Sequence, residues 1–273
     1  MAGGSNPSGQ AKNYSQVAQS VEQVTVNHWV GGSSPSLGAI MRNLMNNYSE
    51  KCDYKHDNVD GHSPWMVQKR TLEENTFDVV KRDWNELFKG IVSKYVLEKN
   101  IVVQAGGWQG MYPRLLSKMF NRVYTFEPDP INFHCLVNNC QENNILKYQA
   151  ALGSECRIDT FEVVNGGKYA TGQGRIKHKG SFDENFELEE IPVQTLTIDS
   201  LQLQDCSLIM SDTEGWGLEL LRGASDTIRK FSPTIILEKY HLREVTQKEF
   251  DFLKTFGYAC VHEAPNDLVF INR

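Results

Sequence analysis

With 273 residues, the chain is long enough for one large α/β domain with a full core. A net charge of −6 and a pI near 5.7 argue against an obligate nucleic-acid binder, because phosphate contacts need clustered Lys and Arg. There is neither an apolar run of roughly eighteen residues nor a charged start followed by an apolar core and cleavage site, so the expectation is a cytoplasmic protein without a membrane span or secretory signal.

Residues 1–40 are rich in Gly, Ser, Asn, Pro and Gln, with little apolar periodicity, and read as a disordered tail. They carry a second pattern. Val17 to Gln23 can be encoded by GTA GCT CAG TCG GTA GAG CAG, which resembles the D-arm of a transfer-RNA gene. In the same frame Thr25-Val26-Asn27 fits an asparagine anticodon loop as ACT GTT AAT, and Gly32-Ser33-Ser34-Pro35 fits a T-arm. Three arms in phase point to a translated tRNA gene upstream of a true start at Met41 or Met45.

Residues 41–98 are expected to form an N-terminal helical region packed on the core. His56 and His62 stand among Asp53, Asp57 and Asp60, but His and Asp alternating on a loop are mostly solvated, so no metal site is expected there. Thr71 to Glu74 forms a capping-box pattern, and Phe77, Val80, Trp84, Leu87, Phe88, Ile91 and Tyr95 recur at helical spacing up to about Leu97. The cysteines at 52, 135, 140, 156, 206 and 260 form no CxxC pair and read as unbonded thiols.

Ile101-Val102-Val103 is a strand buried on both faces, followed at once by Gly106, Gly107 and Gly110. Such a turn lets a ligand approach the backbone, and a helix from about Met111 to Phe120 starts there with free N–H groups. The next strand, Val123 to Phe126, ends in Glu127, a carboxylate placed to accept hydrogen bonds from a ribose diol. Strand, glycine turn, helix, strand and acid make a nucleoside half-site. A helix over about 131–141, a strand around 147–152, and the small residues Ala150-Ala151 beside which a flat base can lie come next. Residues 156–196 read as an insertion of antiparallel hairpin elements around a Gly-rich loop carrying Lys168, Arg175, Lys177, His178 and Lys179. The strand around 206–210 ends in Asp212 and Glu214, a helix from Leu218 to about Lys230 follows, and the strand Thr234 to Leu237 ends in Glu238 and His241. A last helix near 247–256 and two closing strands complete a doubly wound, mostly parallel seven-stranded sheet with a C-terminal antiparallel hairpin, a Rossmann-like α/β fold.

The turn reads Ala105-Gly106-Gly107-Trp108-Gln109-Gly110, with Ala where a dinucleotide fingerprint has its first glycine. The terminal hairpin suggests instead the class I S-adenosylmethionine (SAM) methyltransferase layout. The chain resembles the FkbM-type methyltransferases in VVQAGGWQGMYP, VYTFEPDPINFHCLVNN, AALGS, TIDSL, SDTEGWGLELLRGA, PTIILEKY and NDLVF, in order from Ile101 to Phe270. The resemblance implies a methyltransferase domain over 99–273 that binds SAM and methylates an oxygen, commonly of a sugar hydroxyl or other small-molecule alcohol. The cofactor contacts it puts forward are Gln104, Gly106, Gly107, Trp108, Gly110, Glu127, Pro128, Ala151 and Asp212. Family members usually have an acid in place of Gln104, often Asn in place of Trp108, and commonly Glu in place of Gly217.

A weakly acidic hydroxyl needs a general base, for which Asp212 is the first candidate, followed by Glu214, Glu238 and His241. A divalent cation is not expected, although Asp212, Glu214 and Glu238 form the set that would hold one. The partner expected is a small-molecule or glycan acceptor, with no strong nucleic-acid signal. Two other functions compete. An amino-directed nucleic-acid methyltransferase is disfavoured because SDTEGW stands where a D/N-P-P-Y/F motif would hold a flipped base. A catalytically inactive nucleotide-binding protein draws support from Gln104 and Trp108. The reading of residues 1–40 is checked by the coding DNA, which is expected to fold as a tRNA cloverleaf; a sequence that cannot do so overturns it.

Overall fold

The structure is a computed structural model that describes residues 48–59, 61–73, 76–84, 89–164, 172–177, 188–241 and 243–273. The tail with its tRNA-like pattern, Met41, Met45, Asp60, and Lys168, His178 and Lys179 of the basic loop lie outside the described residues.

The centre is β3 (Ile101–Ala105), in which Val102 and Val103 are fully buried on opposite faces. It pairs in parallel with β4 (Arg122–Phe126) on one side and β10 (Leu208–Ser211) on the other. With β5 (Ile145–Tyr148), β11 (Thr234–Glu238), β12 (Tyr258–Glu263) and β13 (Asp267–Asn272) the strand order is β12-β13-β11-β10-β3-β4-β5. Both pairings of β13 are antiparallel, and the other neighbours pair in parallel. This is the seven-stranded Rossmann-like sheet expected from the sequence, with the order reversing between β3 and β10. The cleft outside the carboxyl ends at such a reversal is where open α/β sheets bind ligands.

Side chains alternate across the strands, so each face has its own core. Val102, Val123, Leu208, Met210, Ile236 and Val269 pack with Leu115, Leu116, Phe77 and Trp84. Val103, Phe126, Ile209, Ile235, Leu237 and Phe270 pack with Leu220, Ile228 and Leu253. The first set includes the helices α2 (Thr76–Asp83), α3 (Lys89–Tyr95) and α4 (Met111–Ser117).

Several elements differ from the sequence reading. Before α1 (Lys69–Glu73) lies an antiparallel hairpin, β1 (Cys52–Lys55) with β2 (Trp65–Gln68), in a stretch read as helical or irregular. The strand expected over 147–152 is two: β5 in the main sheet and β6 (Ala151–Leu152) in a second sheet. There β6 pairs with β9 (Leu188–Leu196), which pairs with β7 (Arg157–Val164), which pairs with β8 (Arg175–Ile176). The helix expected over 218–230 is interrupted, giving α6 (Gly217–Arg222) and α7 (Ser225–Phe231). At the break a Cβ on Gly223 would overlap the Gly153 carbonyl oxygen, so the chain must stay bare there. The carboxylate of Asp199 then caps α7, accepting from Asp226 N (3.0 Å) and Thr227 N (2.8 Å). Helix α5 (Pro130–Asn139) and α8 (Arg243–Lys254) lie close to their expected positions.

Gly106 has φ +83°, and a Cβ there would overlap the carbonyl oxygen of Asp212. The Gly106→Ala substitution combines left-handed strain with this overlap and is expected to cost about 2–5 kcal/mol. Urea denaturation checks this, and a variant as stable as the parent overturns it.

Candidate active site

The turn after β3 is suspended from β4, because Gly106 N and Gly107 N both donate to the carbonyl of Phe126 (3.1 and 2.9 Å). Three of its five residues are left-handed: Gly106, Trp108 (φ 45°) and Gly110 (φ 92°). A tryptophan in that region stores backbone strain, as residues at ligand sites often do. After glycine, Asn tolerates this conformation best. A Cβ on Gly107 would approach Leu136 Cδ1 to 2.5 Å and Thr125 Oγ1 to 2.7 Å, so the turn is tightly seated.

Glu127 is held at the tip of β4 by two backbone donors. Trp108 N donates to Oε2 at 2.6 Å and Asp129 N to Oε1 at 2.9 Å. Each oxygen retains a lone pair, and Glu127 with Pro128 lines the cleft, so a diol can still be accepted. Burial raises its pKa to about 8, the nearby Asp129 adds to the rise, and the two N–H bonds only partly oppose it. Asp129 caps α5 through Ile131 N (2.7 Å) and Asn132 N (3.0 Å), which brings Asn132 to the cleft wall. Ala151 stands there as expected, with Leu152, Phe126, Phe161 and Ile176 forming an apolar slot. Counting its open mouth, the cleft encloses about 840 Å³.

On the opposite side the tip of β10 delivers Asp212, Thr213, Glu214 and Trp216 to the same cleft. Asp212 N extends the β3 ladder by donating to Ala105 O at 3.1 Å. Glu214 is left-handed (φ 52°), and its N donates to Glu238 Oε2 at 2.9 Å, fastening the β10 tip to the β11 tip. One carboxylate oxygen from each of Asp212, Glu214 and Glu238 lies within 4.8 Å of the others. The Asp212 carboxyl is open to the cleft, yet protein surrounds it, and that enclosure raises its pKa to about 6. Burial and then the charge of Asp212 raise Glu214 to about 7, with Arg175 pulling the other way, and burial lifts Glu238 well above the carboxylate range. Three acids this close lose protons as a set.

Not every expected residue reaches the cleft. Gln104 is fully buried behind the turn: its Oε1 accepts from Thr125 Oγ1 (2.6 Å) and its Nε2 donates to Gly106 O (2.6 Å). Both ends serve to brace the turn, in place of the expected ligand contact. Gly110 begins α4 and packs on Cys140 Sγ and Leu136, away from the cleft lining. His241 is exposed, its ring 4.2 Å from that of Tyr240, and it does not line the cleft.

Other residues line the cleft without having been singled out from the sequence. Val80 of α2 and Tyr112 of α4 form one wall. Arg175, read only as part of a basic loop, is 5% exposed on β8; its Nη1 donates to Tyr240 Oη at 3.0 Å, and it pairs with Glu162 at 3.8 Å. The signal was present in a buried-strand pair, Arg175-Ile176, but two residues are too few to show a period.

The family model described as "Methyltransferase FkbM domain" matches residues 106–260. No curated protein matches the chain. Among solved structures, an FkbM methyltransferase from Methylobacillus flagellatus aligns with 14% identity over 96% of this chain and 71% of that one, with a TM-score of 0.45. A putative RNA methyltransferase from Pyrococcus horikoshii aligns with 13% identity over 85% of this chain and 98% of that one, at 0.44. A ribosomal protein L11 methylase from Lactobacillus delbrueckii aligns with 10% identity over 68% and 76%, at 0.41.

A diol bonded to Glu127 favours its ionised form, whereas burial keeps it protonated below about pH 8. Binding of S-adenosylhomocysteine at pH 7 is therefore expected to release a proton from Glu127, and the release should vanish above about pH 9. Calorimetry in buffers of different ionisation enthalpy measures this. Glu127→Gln should lose the release and weaken binding roughly 10- to 1,000-fold; equal proton release in both proteins overturns the assignment.

Proposed function

The chain belongs to the FkbM methyltransferase family, and we propose that it moves the methyl group of SAM to a hydroxyl of a sugar or another small-molecule alcohol. The observation that carries this reading is the group of three carboxylates with raised pKa values, Asp212, Glu214 and Glu238, of which Asp212 and Glu214 line the same cleft as the glycine turn and Glu127 while Glu238 stands behind the lining. The residues fit the cofactor: Glu127 keeps acceptor capacity for the ribose hydroxyls, the apolar slot with Ala151 suits a flat base, and Gly106 and Gly107 leave backbone accessible. When bound, SAM supplies an electrophilic methyl on a sulfonium.

The protein's own part is to position and deprotonate. Proximity and alignment of a hydroxyl with a methyl account for much of such a rate enhancement. Asp212, poised near pH 6 at the strand tip, takes the hydroxyl proton. Glu214 and Glu238 keep the set close to neutrality, so one member stays ready to receive a proton as another holds its own. Arg175 from the second sheet forms part of the acceptor wall. A nucleic-acid acceptor fits less well, since its phosphates would meet these acids and a net charge of −6. No described helix is long and apolar enough to cross a membrane, and the reading includes a cytoplasmic setting.

A second reading has one specific observation in its favour. Carboxylate oxygens within 4.8 Å of one another match a divalent cation held at about 2.4 Å from each, which would acidify an acceptor diol. A chelator distinguishes the two. Under the general-base reading, chelator-treated enzyme keeps its activity; loss that is restored by Mg²⁺ selects the cation. In Asp212→Asn, kcat is expected to fall roughly 10²- to 10⁴-fold while S-adenosylhomocysteine still binds. An unchanged kcat overturns the role of Asp212.

A further inference from the structure

Cys52 of β1 and Cys135 of α5 are separated by 83 positions in sequence, yet their sulfurs lie 3.4 Å apart in a hydrogen bond. Cys135 is fully buried and Cys52 is 8% exposed, so Cys52 is the more accessible residue of the pair. A covalent S–S bond spans about 2.05 Å, so roughly 1.4 Å of closure joins them. All six cysteines are free thiols in this structure.

The pair lies where the N-terminal hairpin meets the wall of the cofactor cleft. Asn139 of α5 receives a bond from Met66 N (2.8 Å) and donates to Met66 O and Gln109 O (2.7 Å each). Gln68 of β2 donates to Asn132 Oδ1 at 2.7 Å, and Gln109 of the glycine turn donates to Thr71 Oγ1 at 2.7 Å. Asn132 itself lines the cleft. Hairpin, turn and α5 are thus joined by a buried amide network, and the two thiols stand beside it.

We propose that Cys52 and Cys135 form an oxidative modification site, at which a hydroperoxide converts the two thiols to a disulfide that staples the hairpin to α5. The chemistry balances. The Cys52 thiolate attacks one peroxide oxygen, the O–O bond breaks, and Cys52 becomes a sulfenic acid with hydroxide leaving; that hydroxide takes up the proton Cys52 gave up. Cys135 sulfur then displaces the sulfenic hydroxyl, its proton leaving with it as water. In sum two thiols and one hydrogen peroxide give one disulfide and two waters, and a dithiol reductant reverses the result. The hydrogen bond from Cys135 lowers the Cys52 pKa, which makes Cys52 the attacking sulfur. Cys156 is the exposed comparison thiol, with no cysteine partner.

The proposal is tested on the full chain, incubated with hydrogen peroxide and quenched with a thiol-blocking reagent. Non-reducing peptide mass spectrometry is expected to find the Cys52 and Cys135 peptides joined, two hydrogen masses lighter than their sum. A crosslink closing so long a loop should raise Tm by about 5 °C or more, with dithiothreitol restoring the starting value. Cys156→Ser should behave as the parent, whereas Cys52→Ala and Cys135→Ala should each lose the rise. Recovery of both thiols unreacted in the folded parent, or over-oxidation of Cys52 with no crosslinked peptide, overturns the proposal whatever the variants do.

Discussion

The Glu127 carboxylate, clamped by the backbone N–H groups of Trp108 and Asp129, is the interaction on which the cleft depends. It links the glycine turn after β3 to the strand tip of β4 and to the start of α5. Its two donors belong to residues that have other tasks: Trp108 occupies a strained conformation, and Asp129 caps a helix. If the clamp is lost, the turn keeps its bonds to Phe126, the brace from Gln104 and the contacts of Gln109 with Thr71 and Asn139. A buried acid with a raised pKa is a cost to the folded protein, and such costs are found where a ligand relieves them.

The second half of the site follows the same logic at a different pair of strands. The β10 and β11 tips are tied by the bond from Glu214 N to Glu238, where Glu214 stands in a left-handed conformation and three carboxylates come together. Gly215 must be bare because the Tyr240 ring lies on it, and Tyr240 in turn receives Arg175. Backbone strain, like-charge crowding and the buried arginine are therefore parts of one local arrangement.

The β3–turn–β4 segment was legible because its signals are local: a short apolar run, three glycines and an acid in fixed order. Sheet class followed from the alternation of strands and helices. What the sequence did not show is set by partners far away in the chain. Gln104 has the right chemistry for a ligand contact, but Thr125 and Gly106 take up its amide. The α6–α7 break was hidden because Gly223 meets the carbonyl of Gly153, seventy residues earlier. TIDSL was recognisable as a motif, yet the work of Asp199 as a cap for α7 appears only in three dimensions. The β1–β2 hairpin was missed since CDYK is short and mostly polar, with one buried residue, Cys52, to mark an inner face.

The second sheet, β6-β9-β7-β8, closes one side of the cleft while forming its own ladder, with no strand shared with the seven-stranded sheet among the described residues. Its small core of Phe161, Ile176, Val193 and Ala151 is likewise its own. Changes in the residues that face an acceptor can therefore accumulate without altering the register of the strands that hold Glu127 and Asp212. The cleft thus has one wall on a separate frame, which can be altered residue by residue while the strands that carry Glu127 and Asp212 keep their pairing.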